Sequence, residues 1–169
     1  MLPTNVLYLI MKKAIPDIVE EYGKNYETRL KTQKFVYLFD QIWGEDFYNH
    51  SWYLAGPYSS TLSHQIYDLL DLSKEYMPQW DKLSLAEDVI ETIEKVNHLL
   101  SEARRSSDEN LTDSQSYELV ASIWYIAKKK KNIKNDEIKK ELLLTKSHFK
   151  EVNSLDDIVV LVTEAMQRQ

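Results

Sequence analysis

The sequence predicts a mainly α-helical domain of about seven helices, with one short strand or a minimal sheet, built around a central helix from Glu27 to Trp43. Three observations lead there. Apolar residues recur at three- and four-residue spacing through most of the chain, which places them on one face of a helix. Only three glycines and four prolines interrupt 169 residues, so tight turns are few. Two boxes, Ser84 to Glu87 and Thr112 to Gln115, stand before apolar runs and read as helix starts.

Taken in order, Pro3 and Thr4 open a first helix with Val6, Leu7, Leu9, Ile10 and Ala14 as its apolar positions. Pro16 ends or kinks it, having no N–H to donate. A further turn, Asp17 to Tyr22, stops at Gly23. In the central helix Leu30, Phe35, Leu38, Phe39 and Ile42 form one face, widened by Val36, Tyr37 and Trp43, with Gly44 as the stop. Ser51 to Ala55 reads as a strand of aromatic and aliphatic residues with no obvious partner. The chain then turns at Gly56-Pro57, and Ser59 or Ser60 caps a helix running to about Leu72. Ser73 to Leu83, which contains Pro78, reads as a connector. The Ser84 box opens a helix with Val89, Ile93, Val96, Leu99, Leu100 and Ala103 in phase. The Thr112 box opens another, with Tyr117, Val120, Ile123 and Trp124 inward, ending at Lys128 to Lys131. Asn135 caps a shorter helix, and Ser154 opens the last, through Ile158, Val159 and Val162. The expected organisation is one domain over residues 1–169, with an N-terminal half to residue 83 and a helical half from 84 to 169.

An apolar content of 43% with 28% charged residues provides for an ordinary core. No cysteine is present, which removes disulfides, thiolate catalysis and Cys-based metal sites. No apolar run approaches the roughly 18 residues of a membrane span, and Met1 to Lys13 has its apolar patch before its lysines, the reverse of a signal peptide. The expected location is the cytoplasm, with no membrane partner. A net charge of -6 disfavours nonspecific nucleic-acid binding by the whole body. Between Lys128 and Lys150, however, nine lysines face only Asp136, Glu137 and Glu141, so one basic patch sits on an otherwise acidic chain.

Enzyme signatures are lacking. There is no GxxxxGK[ST], GxGxxG or GxSxG, and three glycines leave little for a phosphate loop. His50, His64, His98 and His148 stand at no i, i+3 or i+4 spacing from one another and complete no HxxE or HExxH pattern. No catalytic residue, metal or cofactor is therefore expected. What remains is surface. Tyr53, Tyr58, Ser59 and Ser60 lie at the turn within the densest aromatic cluster, and are the candidate partner-binding residues, since Tyr and Trp anchor interfaces well. The same Pro57-Tyr58-Ser59-Ser60 stretch exposes free N–H groups at a helix start, which suits either an anion or a simple serine cap. Lys128, Lys129, Lys130, Lys131, Lys134, Lys139 and Lys140 are the candidate nucleic-acid contacts, or else a solvated end that complements a helix dipole.

The segment Leu30-Lys31-Thr32-Gln33-Lys34-Phe35-Val36-Tyr37-Leu38, followed by Trp52-Tyr53-Leu54-Ala55-Gly56-Pro57-Tyr58-Ser59, resembles the YwgA-like family of bacterial proteins. More distantly it resembles the Panacea domain of SocA-type antitoxins. Thr32 stands where that pattern carries a leucine. The resemblance implies a mainly helical fold and, from the Panacea side, neutralisation or delivery of a toxin-like protein partner by direct contact. Some relatives imply a degenerate winged-helix-like core, which would bring a helix near DNA and supports an alternative reading as a transcriptional regulator.

Overall fold

The computed structural model describes residues 1–130 and 132–168. It is mainly α-helical with a two-stranded antiparallel sheet, and eight α-helices stand among the described residues. The order is α1 (Thr4–Ala14), α2 (Ile18–Glu21), α3 (Tyr26–Trp43), β1 (Ser51–Tyr53), β2 (Gly56–Tyr58), α4 (Ser60–Trp80), α5 (Glu87–Ser106), α6 (Asp113–Lys129), α7 (Asn135–Thr145) and α8 (Leu155–Gln167), with a 3-10 turn at Ser147–Glu151 before α8. No helix among the described residues is long and apolar enough to cross a membrane.

The expected central helix is α3. The Asn25 side chain accepts from the Glu27 N–H at 2.9 Å, and Gly44, at φ +87°, ends the helix by donating to the carbonyls of Asp40 and Gln41. Every residue from Thr32 to Gln41 is buried. Such a helix must be enclosed on all sides. It packs against α5, α6 and β2, and α6 in turn meets α5, α7, α8 and β2, so α3 and α6 share the centre.

Local signals fix several ends. Thr112 and Gln115 form the expected reciprocal capping box at the start of α6. Elsewhere tertiary contacts override them. Most of the expected connector Ser73 to Leu83 is instead helix: Ser73 to Trp80 form the last third of α4, and only Asp81 to Leu83 connect. Trp80 packs on Tyr8 of α1 with centroids 5.2 Å apart, and Asp81 accepts from Tyr8 Oη at 2.9 Å and from Lys12 Nζ at 2.7 Å. Those ties hold the helix past Leu72. Pro78 is tolerated on the exposed side of its final turn, where water can reach the carbonyl that loses its donor. The Ser84 box does not form. Ala86 occupies the cap with extended backbone and no side-chain bond, and α5 starts at Glu87 with Glu87 and Asp88 in its positive end. At α7 the cap position is Lys134 rather than Asn135, and Glu137 accepts from the Lys134 N–H at 3.1 Å.

The strand expected over Ser51 to Ala55 is shorter and does have a partner. β1 pairs with β2 in the register Ser51↔Tyr58, Trp52↔Pro57 and Tyr53↔Gly56. The chain reverses at Leu54 and Ala55, one step before the expected Gly56-Pro57 turn. Gly56 follows the turn at φ +92°, in the left-handed region that glycine enters without strain. Pro57 lacks an N–H, so it stands opposite Trp52 at a non-hydrogen-bonded pair, where that lack is harmless. Gly56 and Pro57 are buried, and β2 lies on α3 and α6 rather than projecting as a wing would.

Candidate functional site

The hairpin is tied down from beneath by polar side chains of α3 and of the segment after α7. Gln33 spans the entry to α4: its amide nitrogen donates to Ser59 O and Ser63 Oγ, both at 2.9 Å, and its oxygen accepts from the Ser59 N–H at 2.8 Å. Lys34 Nζ donates to Pro57 O at 2.7 Å. Lys146 Nζ donates to Leu54 O at 2.8 Å, pairs with Glu118 at 2.6 Å and lies 5.5 Å from the Trp52 ring centroid. Both lysines are only 2% exposed. Burial, with the Lys146 charge adding to it and Glu118 opposing, pulls the Lys34 ammonium down to about 7. The Gln33-Lys34 and Gly-Pro-Tyr-Ser halves of the sequence motif thus meet as donors and backbone acceptors of one anchor.

What the anchor presents is apolar. Leu54 at the turn is 83% exposed and Tyr53 58%; Tyr26 of α3 and Tyr67 of α4 are 62% and 48% exposed. These four side chains border a cleft of about 380 Å3 whose walls also include Tyr22, Arg29 and Tyr58. Tyr53 and Tyr58 lie with ring centroids 5.4 Å apart, and Tyr22 meets Tyr67 edge-on at 5.4 Å. A larger hollow of about 560 Å3 lies between the end of α3, α5 and α8. Exposed aromatics, rather than size, single out the tyrosine cleft.

Of the candidate partner-binding residues, Tyr53 and Tyr58 line this cleft. Ser60 is exposed at the first turn of α4 but outside it. Ser59 is a correction. It is 4% exposed, its Oγ accepts from the Leu62 N–H at 3.2 Å and donates to Tyr48 O at 2.6 Å, so it is a buried cap and offers no surface. Sequence reasoning missed Tyr22, just after α2, Tyr26 at the start of α3 and Tyr67 of α4, which no local pattern joins to the turn.

Half of the six described lysines of the basic patch are committed internally. Lys128 donates to Gln41, Lys130 pairs with Glu141 and Lys139 with Asp156. Lys129, Lys134 and Lys140 are exposed and make no ion pair among the described residues, while Lys131 lies outside the described residues.

Sequence spacing also missed a buried cluster at the foot of the hairpin. Asp40 of α3 and His50 before β1 are enclosed, and His50 Nδ1 lies 3.8 Å from Asp40 Oδ2 and 3.9 Å from Asp46 Oδ1. Burial, reinforced by the Asp46 charge, raises the Asp40 carboxyl to about 8. The N–H groups of Phe47 and Tyr48 pull the other way without closing a hydrogen bond of ordinary geometry. Burial lowers His50 to about 4 against the pull of Asp46. The local signal for it is Asp46 four residues before His50.

No family model, characterised protein or solved structure matches the chain.

Proposed function

We propose that this protein is a non-enzymatic interaction module that grips a protein partner at the tyrosine cleft, in the manner of Panacea-type antitoxins. One observation supports this above the rest. Tyr26, Tyr53, Leu54 and Tyr67 hold their apolar surface in solvent around one concavity. Scattered exposed apolar residues need no explanation, but a contiguous set bordering a cleft marks a binding surface. Tyrosines suit that task because they bring a large contact area with little side-chain entropy to lose. The buried Gln33, Lys34 and Lys146 anchors hold the turn rigid, which lowers the ordering penalty on binding.

The second reading is a DNA-binding regulator using the exposed Lys129, Lys134 and Lys140. Ion pairing of Lys130 and Lys139 leaves that patch weaker than its sequence suggests. The two readings separate by salt, since phosphate contacts weaken steeply with ionic strength and an apolar interface does not. The test is affinity capture from host lysate at low salt and at roughly 0.5 M salt. The expected result is one protein retained at high salt. Its affinity falls at least about 10-fold in Leu54→Ser and Tyr53→Ala variants, whose melting temperatures match the parent. Nucleic acid recovered only at low salt, and lost when Lys129, Lys134 and Lys140 are neutralised, overturns the interaction reading.

A further inference from the structure

We propose that Asp40, Asp46 and His50 form a binding site for a divalent first-row transition cation, clamping the loop between α3 and the hairpin. Three observations converge. First, one donor atom from each residue falls within 4.8 Å of the other two. Second, the two carboxyl oxygens of Asp40 and the two ring nitrogens of His50 are all buried with no hydrogen-bond partner among the described residues, and the hydroxyl of Tyr37, whose ring packs edge-on against His50, is equally unpartnered. Buried polar atoms are nearly always satisfied, so orphaned carboxyl and imidazole atoms this close together mark a place that can take a ligand. Third, two of the three residues reach a cavity, with Asp40 buried behind them. Asp46 and His50 border a cavity of about 200 Å3 together with Tyr37, Gln41, Lys128 and Lys129.

The donor set decides the chemistry. One imidazole with two carboxylates suits Zn2+, Mn2+ or Fe2+, and the lack of any sulfur donor disfavours Cu+. Two carboxylates also offset the charge of a dication, which Lys128 and Lys129 at the mouth would otherwise oppose. The donors stand slightly wider than the roughly 2 Å bonds of such an ion require. Asp46 has a half-exposed side chain on the loop after α3, so it is free to close the difference. Asp40 and His50 are set more firmly, by α3 and by the Tyr37 ring, whose centroid lies 5.3 Å from that of His50. Three protein ligands leave coordination positions open toward the cavity, as in sites that hold water or a further ligand rather than closed structural ones.

The experiment uses the full chain, stripped with chelator and titrated with Zn2+ and with Mn2+. Binding is read by competition with a chromogenic chelator and by the melting temperature. One ion per chain and a raised melting temperature are expected. Asp46→Asn, which alters a half-exposed side chain, is expected to keep the metal-free melting temperature while weakening the ion at least about 10-fold. His50→Gln removes binding; if that variant fails to fold, Asp46→Asn carries the test. The proposal is overturned if neither ion binds at about 0.1 mM, where a site of three converging ligands saturates. It is also overturned if the ion binds Asp46→Asn as tightly as the parent, which assigns it to exposed histidines such as His64 or His98.

Discussion

At the scale of single residues, Lys34 carries the sharpest consequence. Its ammonium sits on one carbonyl, Pro57 O, with Lys146 and Glu118 as the charges that face it. Its folded-state value of about 7 lies below the 10.5 of an unperturbed lysine. Between those values the unfolded chain holds a proton that the native protein has released. The unfolded state therefore binds more protons, and stability rises with pH across that window, by at most about 1.4 kcal/mol per pH unit. Below about 7 both states are protonated and the native state bears the full burden of an enclosed cation. Above 10 the slope reverses, because Tyr117, raised to about 12 by burial, and the more strongly raised Tyr37 and Tyr48 stay protonated while their unfolded counterparts ionise. Urea midpoints at pH 7 and pH 9 check this. Asp40, raised to about 8 by burial, opposes this up to about pH 8, since there the native state holds a proton that the unfolded state has released. The parent is still expected to be more stable at pH 9, by less than Lys34 alone would give, and Lys34→Met, whatever its overall stability, is expected to be less stable at pH 9 than at pH 7. Equal slopes in both proteins would remove Lys34 as the cause.

At the scale of the element, the hairpin depends on one glycine. Gly56 stands at φ +92°, and a Cβ there would come within 2.6 Å of Ser122 Oγ. Gly56→Ala combines left-handed strain with a clash against α6. A loss of about 2 to 3 kcal/mol in chemical unfolding is expected, with partner capture weakened as Tyr53 and Leu54 lose their placement. A neutral Gly56→Ala would mean that the hairpin is not held against α6. This element also shows what sequence can convey. The aromatic segment and the serine cap were legible because each is a local signal, as were Gly44 and the Thr112 box, whereas the reversal falls at Leu54 and Ala55, one step before Gly56-Pro57. The partner of β1 was not, because a three-residue strand containing proline has no pattern of its own. Nor was the length of α4, since Asp81 holds its end only through Tyr8 and Lys12, some seventy residues away. Likewise nothing local distinguishes the buried Lys34 and Lys146 from solvated lysines, and Tyr22, Tyr26 and Tyr67 of the tyrosine cleft lie outside the motif, brought to it only by the packing of the chain.

At the scale of the whole molecule, the burial of α3 governs how the chain folds. Its ten consecutive enclosed residues, Thr32 to Gln41, are covered from the N-terminal half by β2 and from the C-terminal half by α5 and α6. α1 likewise reaches across to α5. Separation at residue 83 would strip α3 of two of its three walls. Each large apolar side chain so exposed, such as Phe35, Leu38 or Phe39, forfeits about 1.5 to 3 kcal/mol. A handful of these equals the about 5 to 15 kcal/mol by which a domain of this size is stable. The two halves are therefore expected to fold only together. The full chain should unfold in one transition, with near- and far-UV circular dichroism changing in step, and fragment 1–83 made alone should show no cooperative melt. A cooperative melt in that fragment would mean that α1, α4 and the hairpin enclose α3 without help. The tyrosine cleft, built from Tyr22, α3, the hairpin and α4, would then be a portable unit rather than a surface whose anchors Glu118 and Lys146 lie in the other half of the chain.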